Sequence, residues 1–251
     1  MKKLAPSLLF LGLSLAHAHF VTLIPESDTV RKPTVKVETL FTHPAEGYPS
    51  MPYQIEKSAV FKSGKEYPLK WKVSYIPASP EGGGKVEKYT SQVSLLGPGV
   101  YQVVVWQKPY YEPAEGVYIK QLAKVYISAF GWEEGWDKPI GAKVEIVPLT
   151  RPFGIWEGNS FVGRVLKDGK PLKGARVEIE YYNTGGVKYP NEVLYTQVVK
   201  TDENGVFVYT IPWSGWWGFS VITEGGEYNG HPLELDGVLW IYAYPKPKEV
   251  K

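Results

Sequence analysis

The sequence predicts an all-β protein: two antiparallel β-sandwich domains, immunoglobulin-like or transthyretin-like, behind an export signal. Three observations carry this. Apolar and polar residues alternate with period two along most of the chain. Gly and Pro, 26 and 21 of 251 residues, punctuate those runs at short intervals. No stretch sustains a helical period.

The opening MKKLAPSLLFLGLSLAHA (1–18) has the parts of a secretory signal peptide. Lys2 and Lys3 supply the positive start, and Leu8 to Leu15 is an apolar run too short to span a bilayer. Ala16-His17-Ala18 puts small residues where signal peptidase cuts, which would leave His19–Lys251 as the mature chain. No later apolar run is long enough to cross a membrane, so no membrane insertion is expected after cleavage.

FVTLI (20–24) and TVKVETLF (34–41) read as consecutive antiparallel strands joined by the polar turn PESDTVRKP. In PLKWKVSYI, Leu69, Trp71, Val73 and Tyr75 face one way while Lys70, Lys72 and Ser74 face the other. VYQVVVWQ (100–107), KVYIS (124–128) and AKVEIV (142–147) repeat this half-buried pattern. The Pro-punctuated VEIVPLTRPFG sets a boundary near Pro148–Pro152, giving an N-terminal domain at 19–149 and a C-terminal domain at 150–245. Beyond it, ARVEIEYY (175–182), GVFVYTI (205–211) and GVLWIYAY (237–244) read as strands. Asp168-Gly169 and Asn204-Gly205 read as tight turns, because these residues tolerate positive φ. In GWWGF, Trp216 and Trp217 point to opposite faces: one is core, and the other covers an edge or forms a platform for a sugar. Residues 246–251 read as a disordered, solvated tail.

The absence of cysteine excludes disulfides, thiolate metal sites and cysteine nucleophiles. Without Lys2 and Lys3, the 28 basic residues become 26, matching the 26 acidic ones. A balanced chain has no broad basic field for nucleic acid. There is no GxSxG elbow and no HExxH, so the chain is not expected to be an enzyme. Glu133, Glu134 and Asp137 in GWEEGWD read as a solvated loop.

The sharpest chemistry is at the expected mature end. Cleavage after Ala18 makes His19 the first residue, whose α-amine and ring can chelate one metal ion. The amine titrates near pH ~8 and the ring near ~6.5, so a transition metal can displace both protons at neutral pH. Such nitrogen ligands suit nickel, copper, cobalt or zinc. Antiparallel pairing of the first two strands sets His43 beside His19, within a residue or two of register. Pro44 keeps His43 extended at the strand end. Glu46 and Met51 follow as further candidate ligands, Tyr48, Tyr110 and Tyr111 as lining, and His231 as a weaker third histidine.

Several stretches resemble a known family: AHF, LFTHPAEG, KPYYEPAEG, AFGWEEGWDKPIG, the block from Val144 to Asn183, and TDENGVFVYTIPWSGWWGF. They look like exported bacterial proteins of a domain-of-unknown-function family, often labelled periplasmic components of nickel or cobalt uptake systems. The resemblance implies a periplasmic β-sandwich protein that handles Ni²⁺ or Co²⁺ for a membrane metal-uptake transporter. Its "HF" and "THP" fall on His19-Phe20 and Thr42-His43-Pro44. Relatives carry a further histidine after THP where this chain has Tyr48, which implies one nitrogen ligand fewer. Two alternatives stay open: a structural or adhesive β-sandwich without metal, and an oxidative enzyme holding copper in a histidine brace.

Overall fold

The computed structural model describes residues 19–247 and is built almost wholly of strands. The expected signal peptide, and residues 248–251 of the expected tail, lie outside the described residues. The first half of the chain forms β1 (Phe20–Pro25), β2 (Thr29–Val30), β3 (Thr34–Thr42), β4 (Ser50–Met51), β5 (Ile55–Lys62) and β6 (Lys65–Pro68). It continues with β7 (Lys72–Ser79), β8 (Gly82–Ser94), β9 (Gly99–Gln107), β10 (Tyr110–Glu112) and β11 (Val117–Ala129). The second half forms β12 (Val144–Pro148), β13 (Ile155–Trp156), β14 (Ser160–Lys167), β15 (Lys170–Pro171) and β16 (Arg176–Tyr181). Among the described residues a single 3₁₀ turn, Glu192–Leu194, precedes β17 (Gln197–Lys200), β18 (Val206–Thr210), β19 (Gly215–Tyr228) and β20 (His231–Tyr244). Among the described residues no helix is long and apolar enough to cross a membrane.

The strands form three sheets. The first has the order β1-β3-β8-β7, with β4 on β3. The central sheet runs β17-β16-β19-β20-β11-β9-β5-β6, with β2 and β10 on β11 and β13 on β20. The third is β12-β14-β15, with β18 on β14.

Side-chain parity explains how they stack. Along β20, Val238 and Trp240 enter one core while Leu239, Ile241 and Ala243 enter the other. Along β11, Ala123, Val125 and Ile127 enter the first core and Tyr126 the second. The first sheet therefore covers one face of the central sheet and the third covers the opposite face, making two β-sandwiches. They merge where β11 and β20 pair in parallel, Tyr118 opposite Leu233 through Val125 opposite Trp240. Gly237 lets β12 of the third sheet pass close over β20: a Cβ there would meet the Glu145 Cα at 3.1 Å.

This double coverage corrects one expectation. KVYIS, AKVEIV and ARVEIEYY predict strands with one solvated face. The polar residues are nonetheless buried: Lys124, Glu145, Glu178 and Glu180 are at most 4% exposed. Lys124 Nζ lies 2.9 Å from Glu145 Oε2, and the Glu145 carboxylate also accepts backbone N–H bonds from Ile140, Gly141 and Ala142. Burial pulls the Lys124 ammonium below its usual pKa, and Glu145 pulls it back up.

The two turn pairs behave differently. Asp168 and Gly169, at φ 50° and 73°, close the β14–β15 hairpin. The Asn204-Gly205 turn instead carries the chain from β17 in the central sheet to β18 in the third. Trp217 is core in the second cluster, whereas Trp216 packs partly buried against the first.

Candidate functional site

The register of the first two long strands builds the site. β1 pairs antiparallel with β3, from Phe20 opposite Thr42 to Pro25 opposite Val37. One residue further out, His19 and His43 meet, with ring centroids 4.5 Å apart. Because β1 is an edge strand, alternate backbone groups face away from β3. Buried side chains of the central sheet take them up. The Val21 N–H donates to Gln121 Oε1 at 2.7 Å, and Gln121 Nε2 donates to the His19 carbonyl at 2.6 Å. The Trp240 indole N–H donates to the Val21 carbonyl at 2.9 Å. Gln121 is itself held by Asp236 Oδ2 at 3.0 Å and by Gln107 Oε1 at 3.2 Å. The expected first residue of the mature chain is therefore fixed by tertiary contacts.

β10 supplies the ring partner. His19 Nε2 lies 3.0 Å from Glu112 Oε2, an ion pair whenever the imidazole is protonated. Tyr110 and Glu112 share one face of β10 by parity. Tyr110 packs on Phe41 at 5.3 Å between centroids, and Phe41 packs on His19 at 5.7 Å.

The segment after β3 docks His43 against the second half of the chain. The Gly47 N–H closes a turn on the His43 carbonyl at 2.8 Å. Asn183 N–H donates to the Pro44 carbonyl, and Asn183 Nδ2 to the Ala45 carbonyl, both at 2.9 Å. Glu180 Oε2 accepts the Ala45 N–H at 3.0 Å, and its other oxygen accepts the Thr196 hydroxyl. Burial pushes the Glu180 pKa up to about 8, with Glu178 and Glu46 adding to the rise against those two hydrogen bonds. His43 is buried, and Glu46 is half-buried.

The other candidate ligands sit elsewhere. Met51 lies in the apolar core, across the β3–β4 pairing from Phe41. Tyr48 is exposed in the turn. His231 begins β20, where its ring packs on Tyr111 and Tyr118 at 4.9 and 6.0 Å and its Nδ1 lies 3.3 Å from the Gly116 carbonyl. Tyr111 points to the opposite face of β10 from Glu112, so strand parity separates His231 from His19. Among the described residues, no three His, Asp or Glu side chains converge in metal-holding geometry.

Sequence reasoning missed Glu112, Gln121 and a set of carboxylates near them. Glu234 and Asp236 are two apart on β20. Burial raises the Glu234 pKa to about 7, and raises Asp236 with Glu234 adding to it. Glu115 is raised by partial burial and by Glu112. The period-two placement in YYE and ELD was a usable signal, but nothing local says that those faces are covered.

A His19 amine and ring with His43 beside them fit the donor set that nickel, cobalt, copper or zinc takes. The Glu112 contact at Nε2 would orient the ring so that a chelate with the residue's own amine runs through Nδ1. This is the usual role of a carboxylate behind a ligating histidine.

No curated protein matches the chain. Solved structures give remote likenesses. The D00-D0 domain of intimin is 11% identical, covering 90% of this chain and 100% of that one, with a TM-score of 0.23. The native conformation of E. coli alpha-2-macroglobulin is 11% identical, covering 91% of this chain and 14% of that one, with a TM-score of 0.26. BcpA, the major pilin subunit of Bacillus cereus, is 12% identical, covering 88% and 66%, with a TM-score of 0.22. Residues 16–225 match a family model described as "Domain of unknown function (DUF4198)", and the chain belongs to that family.

Proposed function

We propose that this protein binds a divalent transition metal, nickel or cobalt first, in the periplasm and passes it to a membrane uptake transporter, without catalysing a reaction. The observation that carries the reading is the pair of imidazoles 4.5 Å apart at the first residue expected after export. The residues that would hold the metal are His19, through its α-amine and ring, and His43, with Glu112 orienting the His19 ring. A bound cation of this kind would be cargo, so the chain's task is selection and release rather than chemistry.

The test is isothermal titration of NiCl₂ and CoCl₂ into protein whose chain begins at His19. His19→Ala and His43→Ala are each expected to weaken binding at least about tenfold. A chain whose His19 amine is acetylated keeps every side chain but loses the chelating amine, and should lose affinity to a similar degree. Unchanged affinity in all three would overturn the proposal. Preferential copper binding with peroxide-driven oxidation of a polysaccharide would replace it with the histidine-brace enzyme.

A further inference from the structure

A second feature lies in the chain's second half. The loop through Val187, Tyr189, Leu194 and Tyr195 faces the arch of Pro212 and Trp213 across a cleft of about 400 Å³. Its floor is Tyr181, Tyr209 and Trp217. We propose that this cleft binds a neutral saccharide.

The aromatic faces are organised rather than scattered. Trp213 packs tilted against Trp217 at 5.0 Å and edge-to-face with Tyr181 at 5.6 Å between centroids, Tyr209 meets Trp217 at 5.9 Å, and Tyr189 meets Tyr195 at 5.1 Å. The arch closes this tightly because Gly215, at φ +124°, has no side chain: a Cβ there would lie 2.5 Å from the Tyr181 ring. The Trp217 N–H is committed to the Trp213 carbonyl at 2.9 Å, which fixes the arch. Trp213 remains 36% exposed at the rim.

The lining selects the ligand class. It contains no carboxylate, and Lys188 is its one charged residue, so an ionic ligand has little to hold it. Aromatic faces with phenol and amide groups suit a molecule that is apolar on one face and hydroxylated at its edge, which describes a pyranose ring. The Tyr189 hydroxyl is buried with no hydrogen-bond partner among the described residues, so a ligand hydroxyl would satisfy it. Burial pushes the Tyr189 and Tyr209 pKa values to about 12, so both phenols stay neutral donors at physiological pH. The volume accommodates roughly one or two sugar rings. A proline-rich peptide also favours aromatic grooves, and the experiment separates it from a sugar.

Tryptophan fluorescence and isothermal titration with cellobiose, maltotriose and chitobiose test this, in chelator-containing buffer so that metal at His19 plays no part. At least one sugar should saturate and shift the emission. Trp213→Ala should weaken that sugar at least about tenfold. Tyr189→Phe, which keeps the ring and its packing, should weaken it several-fold with the melting temperature unchanged. The proposal is overturned if none of the three sugars binds, if binding survives Trp213→Ala undiminished, or if a decaproline peptide binds in their place.

Discussion

Glu112 shows how one side chain changes the reading of the residue beside it. An amino-terminal histidine by itself would offer a metal its amine and a freely turning ring; Glu112 Oε2, 3.0 Å from His19 Nε2, holds that ring. Glu112→Gln is therefore expected to weaken nickel binding roughly 10–100-fold, as removal of a carboxylate behind a ligating histidine does, while the folded state persists. Titration calorimetry beside a thermal melt separates the two. The Lys124–Glu145 pair poses the opposite case, because it serves packing rather than the site. Its partners are 1% exposed or less, so Glu145→Ala strands an ammonium in the interior. That should cost about 3–5 kcal/mol, read as a lower midpoint in urea unfolding. Lys124→Met with Glu145→Leu together should recover only part of the loss: the buried charges go, but the N–H groups of Ile140, Gly141 and Ala142 lose their acceptor.

At the scale of the element, the turn after β3 ties the two halves together. Its backbone bonds to Glu180 and Asn183, residues about 140 positions away. The Glu180 pKa is raised from 4.5 to about 8, so the folded protein holds a proton that the unfolded chain releases. Its stabilising effect is complete below the unfolded value and is lost as pH rises through the folded one. Glu234, raised to about 7, acts in the same direction. Thermal stability should therefore fall between about pH 5 and about pH 9. Glu180→Gln should flatten that decline, measured as melting temperature against pH. A variant that falls as steeply as wild type would remove Glu180 from the account. The register of β1 on β3 is the element that the sequence predicted most directly. Two neighbouring strands with a short connection have few ways to pair, and a slip by one residue would exchange Val21 and Leu23 with Phe20 and Thr22 between two faces that are both buried.

At the scale of the whole molecule, the central sheet joins the two sandwiches. β11 from the first half pairs with β20 from the second, and Trp240 of β20 fills the core beneath β1. Unfolding is accordingly expected as one cooperative transition, with calorimetric and van't Hoff enthalpies in agreement. Two resolved transitions would mean that the shared sheet does not couple the halves. Residues 19–149 alone would lack β20, leave one edge of β11 unpaired and open the core at Trp240, so this fragment should not give a cooperative melt.

By itself the sequence determined the all-β class, the strand period, and the meeting of His19 with His43. Each of these rests on local alternation and on pairing between strands close in the chain. Tertiary structure alone decided that Glu112 and Gln121, about 100 residues away, would grip His19, and that His231 would face away from it. It also decided that the charged faces of β11, β12 and β16 would be covered. The physical reason is that alternation states which side chains share a face, whereas burial depends on what is stacked over that face. That stacking is set by long-range parallel pairing between β11 and β20, for which no local pattern codes.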